Sequence, residues 1–224
     1  MPSLKRSVSA ATIVCAALVV VAAATSAAGD PIKRLKAADQ AYAKSIVLRK
    51  AELPAGSWTA HRTSFSQSNP ACVVKHYSLS ALTATGETGF TYSQGIQVIE
   101  SDARVFLTAG QAARAFSILS SVGLGRCLGA ATAAEISAAS AGVSAKVTRV
   151  EPIALVGLAA SALGVRIALR VQGVKGIASL HYVVLNVRRG RALATLGLVR
   201  NDAAWPSSLV RSLAAVTATR MTKH

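Results

Sequence analysis

Acidic and aromatic side chains are scarce in this sequence, and cysteine is scarcer still. Nine Asp and Glu stand against 25 Lys and Arg, a formal net charge of +16, and aromatics make up 4% of the 224 residues. So few aromatics, none interleaved with the basic residues, remove the stacking platform that single-stranded nucleic acid requires. The basic residues are spread along the chain, with no block longer than Lys33-Arg34-Leu35-Lys36, which also argues against nucleic acid as a partner. Three cysteines and four isolated histidines, His61, His76, His181 and His224, offer no paired ligand spacing, so structural zinc is excluded. No stretch names a cofactor.

Long apolar runs are absent too, except at the start. Lys5-Arg6, then "SAATIVCAALVVVAAA", then Thr25-Ser26-Ala27-Ala28 make a basic head, an apolar core and a small-residue cleavage region. Together they read as a secretory signal, residues 1–28, cut after Ala27 or Ala28. A retained anchor would need a longer run and a basic stop-transfer flank. Cys15 follows Ile13-Val14, where a lipobox needs a small residue, and leaves with the signal. The best later window, "IALVGLAASALGV", is short and broken by glycine, so no stable transmembrane segment is expected after cleavage. Residues 29–224 then form a single secreted domain at the cell envelope. Cleavage removes two basic residues and no acidic ones, and the remaining excess calls for an anionic neighbour. An exported protein meets anionic lipid, an acidic cell-wall polymer or a small amphipathic ligand. A merely solvated basic surface is the plainer reading.

What is present is an alternation of helical and strand periods. Ala38, Tyr42 and Ile46, with Val47 one position off, mark a first helix that Pro54 and Gly56 stop. Residues 57–95 are rich in Ser and Thr and read as loop and short irregular elements carrying Cys72. In "IQVIESDARVFL", Ile99, Ser101, Ala103 and Val105 alternate with Glu100, Asp102 and Arg104, a strand pattern. Ala112, Phe116 and Leu119 then fall at helical spacing, with Gly123 and Gly125 expected to end the helix. The Ala-rich run closing at Gly142 reads as another helix. "VSAKVTRVEPIAL", "LGVRIALRVQG", "ASLHYVVLNVRRG" and "RALATLGLVRN" follow as consecutive antiparallel strands. In the second of these Val165, Ile167, Leu169 and Val171 point one way and Arg166 and Arg170 the other, so one sheet face is wetter. A closing helix starts at Pro206, with Leu209, Leu213 and Val216 along one side. The expected class is α+β: an antiparallel sheet of about five strands, ending in a meander, with helices packed on it as an α/β sandwich.

The glycine-rich "GLGRCLG" around Cys127 imitates a dinucleotide fingerprint, but it follows a helix rather than a strand and lacks the Lys-Ser/Thr pair of a phosphate loop. As a nucleophile Cys127 has no base in its neighbourhood. Once Cys15 is removed, Cys72 and Cys127 are an even pair in an oxidising compartment, where bonding is the expected fate and two buried thiols the alternative. Glu100, Asp102 and Arg104 would share one strand face, either lining a polar cleft or simply exposed. No catalytic residue or metal ligand is assigned. A hydrolase would need a serine such as Ser66 or Ser68 within reach of His61, His76 or His181, oriented by Asp102 or Glu100.

End to end, "SIVLRKAELPAGSW", "GIQVIESDARVFLTAGQAARAFSIL" leading into "GRCLG", and the closing meander and helix resemble small exported actinobacterial proteins similar to the extracellular sensor domain of mycobacterial serine/threonine kinase H. They resemble PsbP-like lipoproteins more loosely. The resemblance covers most of the mature chain. It implies an α/β sandwich with a ligand-binding cleft and no enzymatic activity. This sequence departs from the kinase in lacking a kinase domain and a retained membrane span, and in having one cysteine pair where the sensor has two. No ligand contact carries over. The reading is a secreted, non-catalytic, sensor-like or binding module of the envelope, with Arg166 and Arg170 as candidate ligand-binding residues. An envelope hydrolase with a serine nucleophile and His181 as base, and a structural cell-wall protein, are the alternatives.

Overall fold

The computed structural model describes residues 36–61, 81–173 and 176–223. Helix α1 (Ala37–Ile46) leads through a 3-10 turn at Lys50–Glu52 into strand β1 (Trp58–His61). Strands β2 (Leu82–Tyr92) and β3 (Gln97–Phe106) follow, then helices α2 (Ala109–Leu119) and α3 (Val122–Ala139). Strands β4 (Ser144–Ala154), β5 (Ser161–Gly173), β6 (Gly176–Arg189) and β7 (Ala192–Asn201) precede helix α4 (Ser207–Arg220).

The strands form one open antiparallel sheet in the order β1-β2-β3-β7-β6-β5-β4. The α+β class and the meander agree with the sequence, but the sheet has seven strands rather than about five. The difference is β1 and β2, both inside the stretch read as loop. β2, "LTATGETGFTY", carries threonines, which suit a strand because they are β-branched but leave no apolar alternation to detect.

Helices cover both faces, so neither is simply the wet one. On the first face α1 and α4 bury Ala103, Leu185, Leu196 and Leu213 in one cluster. The two helices meet where the Tyr42 hydroxyl donates to the Met221 carbonyl at 3.2 Å. On the second face α2 packs Phe116 and Leu119 against Phe106 and Leu193, while α3 packs Ala133 and Ile136 with Leu169 and Leu180. Two expected helical faces are turned: α1 buries Asp39, Ala43 and Ile46, and α4 buries Val210, Leu213, Ala214 and Thr217. Asp39 is tolerated inside because Arg191 clasps both its oxygens, at 2.8 and 3.3 Å.

The glycines of "GLGRCLG" do not end a helix; they lie within α3. The true boundary is Ser120-Ser121: the Ser121 hydroxyl accepts from the Leu124 amide at 3.1 Å and starts the new helix. Gly125 and Gly129 are one turn apart on the side that meets the sheet. A Cβ on Gly125 would lie 2.9 Å from Val165 Cγ2, and one on Gly129 would lie 3.0 Å from Ile167 and Val147 methyls. Their missing side chains let the helix backbone settle onto β4 and β5. Among the described residues, no single helix is long and apolar enough to cross a membrane.

Candidate functional site

The register fixes where each charged side chain of the meander points. Val165, Ile167, Leu169 and Val171 are buried under α3, and Arg166 and Arg170 project from the first face, as the alternation requires. Their surroundings differ. Arg166 donates to the Ser207 hydroxyl at 2.8 Å and to the Trp205 carbonyl at 3.5 Å, so it holds the start of α4. Beyond it, Arg170 and Gln172 are exposed on a part of the sheet that α4 leaves open.

Neighbouring strands add cations to this open area. Lys146 on β4 sits directly opposite Arg170. Arg149 is opposite Ala168, which pairs in turn with His181 and, one strand further, Arg200. Directly opposed side chains have Cβ atoms about 5 Å apart, and like charges there destabilise a sheet. The compensation is thin. Glu151, opposite Arg166, pairs with Arg149 at 2.5 Å, and Asp202, whose amide donates to the Ser179 carbonyl, accepts from the Asn201 side chain at 2.7 Å. Arg200 lies over the Trp205 ring, 5.7 Å from its centroid, at the border with α4. Ile177, 56% exposed, shares the face beside Gln172. The result is an open cationic sheet surface with one apolar neighbour.

Lys146, Arg149 and Arg200 carry no signal of their own in the sequence. Lys146 and Arg149 are three apart, a spacing that puts strand residues on opposite faces. A bulge between Val147 and Arg149 brings both to the same side. No sequence signal marks that bulge.

Glu100, Asp102 and Arg104 share the second face, as expected, but this is not an exposed charged surface. Asp102 and Arg104 are each 2% exposed and Glu100 is about a quarter exposed. The α2 side of the sheet and adjoining polar residues enclose them: Thr195 faces Asp102 across the register and donates to Asn186 Oδ1 at 2.8 Å. Asn186 in turn donates to the Leu119 carbonyl of α2 at 2.9 Å.

His61 lies at the rim of this group. Its Nδ1 is 3.3 Å from the Thr91 hydroxyl and its Nε2 is 4.0 Å from Glu100 Oε1. The order hydroxyl, imidazole, carboxylate is that of a hydrolytic triad, but 4.0 Å is beyond hydrogen-bond reach. Burial, with the charges of Glu87 and Asp102, pushes the Glu100 carboxyl up to about 7, so it is a poor anion to stabilise an imidazolium. His181 lies on the other face, away from these carboxylates, and hydrogen-bonds no described side chain. Ser66, Ser68, His76 and Cys72 lie outside the described residues. Among the described residues no group of three His, Cys, Asp or Glu is arranged to hold a metal ion.

No family model and no curated protein matches this chain. Among solved structures it is similar to the extracellular domain of PknH from Mycobacterium tuberculosis, with a TM-score of 0.43 and 8% identity over 87% of this chain and 100% of that one. A likeness at that level carries no argument about ligand or activity.

Proposed function

We propose that this is a non-catalytic, envelope-associated binding module that takes an anionic partner on the open part of its first sheet face. The observation that carries the reading is Lys146 directly opposite Arg170, both exposed, on a surface that also presents Arg149 and Arg200. Like charges so placed cost stability in the free protein, and an anion bridging them relieves that cost. Arg170 belongs to the binding surface in this reading, and Arg166 supports it by fixing α4 at its border.

Export belongs to the same reading. It rests on the basic, apolar and small-residue segments of residues 1–28. A Cys72–Cys127 bond is also part of it, supported by Cys127 being a bonded cysteine and by the small number of possible partners.

The test is retention of K146Q/R170Q on anionic vesicles and on isolated cell-wall polymer. Each surface cation near an anionic layer contributes about 1 kcal/mol, so the double variant should bind roughly tenfold or more weakly and with a shallower salt dependence. Unchanged retention on both materials overturns the reading. The hydrolase alternative has one favouring observation, the Thr91–His61–Glu100 order. Ester hydrolysis by wild-type protein that disappears in H61A would establish it.

A further inference from the structure

A second surface, at the opposite end of β5, combines charge with exposed apolar side chains. The loop between β4 and β5, residues 155–160, reads Leu-Val-Gly-Leu-Ala-Ala, with no charged or hydroxyl side chain. Val156 at its tip is 78% exposed, more than any other large apolar side chain among the described residues. Gly157 has φ 75°, a turn conformation that a side chain would resist. Two arginines from other elements hold the loop's backbone: Arg211 of α4 donates to the Val156 carbonyl at 2.8 Å, and Arg189 donates to the Ala159 carbonyl at 3.0 Å. The apolar tip is therefore braced in its exposed position.

Beside it stands the turn Arg188-Arg189-Gly190-Arg191 between β6 and β7, brought close because Ser161 pairs with Arg188. Two hollows flank this turn. One, about 410 Å³ and open, lies between Leu158 and Ala160 of the loop and Arg188 and Arg189. The other, about 480 Å³, lies between Arg189, Arg191 and α1. The one carboxylate lining either hollow is Asp39, and Arg191 already occupies both its oxygens. The positive charge of Arg188 and Arg189 thus has no carboxylate in the lining to offset it.

We infer that this end of the molecule docks on an anionic lipid bilayer, with Val156 entering the interface and Arg189 and Arg211 meeting lipid phosphates, while Arg188 stays over the Phe116 ring on the other face, 5.7 Å from its centroid. A bilayer surface offers negative charge outside and apolar material a few ångströms deeper, the two chemistries that this end presents in the same order. A soluble anionic polymer would satisfy the arginines and leave Val156 in water. A second copy of the chain would set one cluster of guanidinium groups against another. The inference concerns a different surface from the open sheet face and does not depend on it.

The experiment uses the mature protein recovered from an expressing host and two kinds of vesicle, equimolar phosphatidylglycerol and phosphatidylcholine, and phosphatidylcholine alone. Wild type should sediment with the first and not the second. V156D should weaken that binding about tenfold, the effect of losing one buried valine, and R189Q about fivefold. V156W places an indole at the tip, and its emission should shift to the blue and be quenched by brominated acyl chains. Wild-type binding by V156D, or an unmoved V156W spectrum, overturns the inference. So does a concentration-dependent dimer that V156D abolishes, which would make a second copy the occupant. Loss of vesicle binding in K146Q/R170Q alone, with V156D and R189Q unaffected, defeats this inference and leaves the sheet-face reading standing. The reverse pattern supports this inference and leaves the sheet face to its own test on cell-wall polymer.

Discussion

Asp102 Oδ1 lies 2.8 Å from Arg104 Nε, two residues along β3, and each side chain is almost wholly shielded from water. Yet neither carboxylate oxygen of Asp102 receives a well-directed hydrogen bond. Burial, the largest influence, pushes this carboxyl up to about 6 against the attraction of Arg104, and Glu87 on the neighbouring strand adds to the rise. Glu100, next along the same face, is pushed up to about 7. The sheet therefore shields one carboxyl group wholly and the other largely, and raises both.

The sign of the pH effect follows. Both groups have folded values above their free values, so the folded state holds protons that the unfolded chain has lost. That contribution is fully present below the free carboxylate range and is lost as pH rises through the folded values. Asp39 moves the other way. Burial alone would raise it, but hydrogen bonds from Arg191 and Thr83 and the charges of Arg191 and Lys36 hold it below its ordinary value, so its contribution fades only in stronger acid. The unfolding free energy should therefore be higher at about pH 5 than at about pH 7, by something on the order of 2 kcal/mol, with the denaturant midpoint moving the same way, and E100Q should flatten most of that slope. A midpoint that climbs with pH across this window contradicts the burial argument.

The glycines of α3 should part company under alanine substitution. Alanine in a helix interior is favoured over glycine by about 1 kcal/mol; Gly123 sits in the first turn of α3, two residues past its Ser121 cap, where the gain is smaller, and the new methyl meets nothing nearer than the Ser121 hydroxyl at 3.9 Å. G123A should leave stability unchanged or raise it by about half of that amount or less. At Gly125 the methyl would press on Val165 and Val150, stiff β-branched side chains, at 2.9 to 3.1 Å. Overpacking of this kind costs about 1–3 kcal/mol, which outweighs the propensity gain, so G125A should lower the melting temperature. Equal behaviour of the two variants would mean that α3 does not sit on the sheet as closely as described.

These glycines also show where sequence pattern stops being informative. Val165 to Val171 could be assigned to one face because β5 is buried on one side and leaves Arg170 in water on the other. A glycine beside a helix, by contrast, has the same signature whether it ends that helix or lets it approach a neighbour, since both uses exploit the absence of a side chain. Asp102 and Arg104 looked exposed because they are charged; their burial depends on β2 and α2, which lie far off in sequence. The cationic surface was half legible. Arg166 and Arg170 follow from alternation, while Lys146 and Arg149 come together through a bulge, and Arg200 joins them only once β6 and β7 are in register.

Arg166 and Arg170 should separate structure from binding. R166Q removes the hydrogen bonds to Ser207 and Trp205 that fix the start of α4, and should cost about 1 kcal/mol of stability. R170Q changes an exposed side chain and should stay within about 0.5 kcal/mol of wild type. Binding should rank them in the opposite order, because Arg170 faces Lys146 across an open surface and Arg166 is engaged with the helix. Thermal melts and vesicle retention on the same two preparations check both halves. If R166Q is as stable as wild type, its contacts with α4 carry no weight in the fold.

The cysteines give the last prediction. Cys127 is half-buried on α3, two residues past Gly125 and two before Gly129, on a helix that those glycines let settle against β4 and β5. A bond from Cys127 to Cys72 would tie the segment between β1 and β2 to this helix, which lies on the β4 side of the sheet. In the chain-entropy account, closing a loop of that length adds roughly 4 kcal/mol by restricting the unfolded chain, a large part of a domain's stability. Peptide mapping without reduction should recover the Cys72 and Cys127 peptides as one species. Reduction, or C72S/C127S, should lower the denaturant midpoint without changing which residues pack in the core. Recovery of both peptides as free thiols under denaturing, non-reducing conditions would remove the bond from this reading.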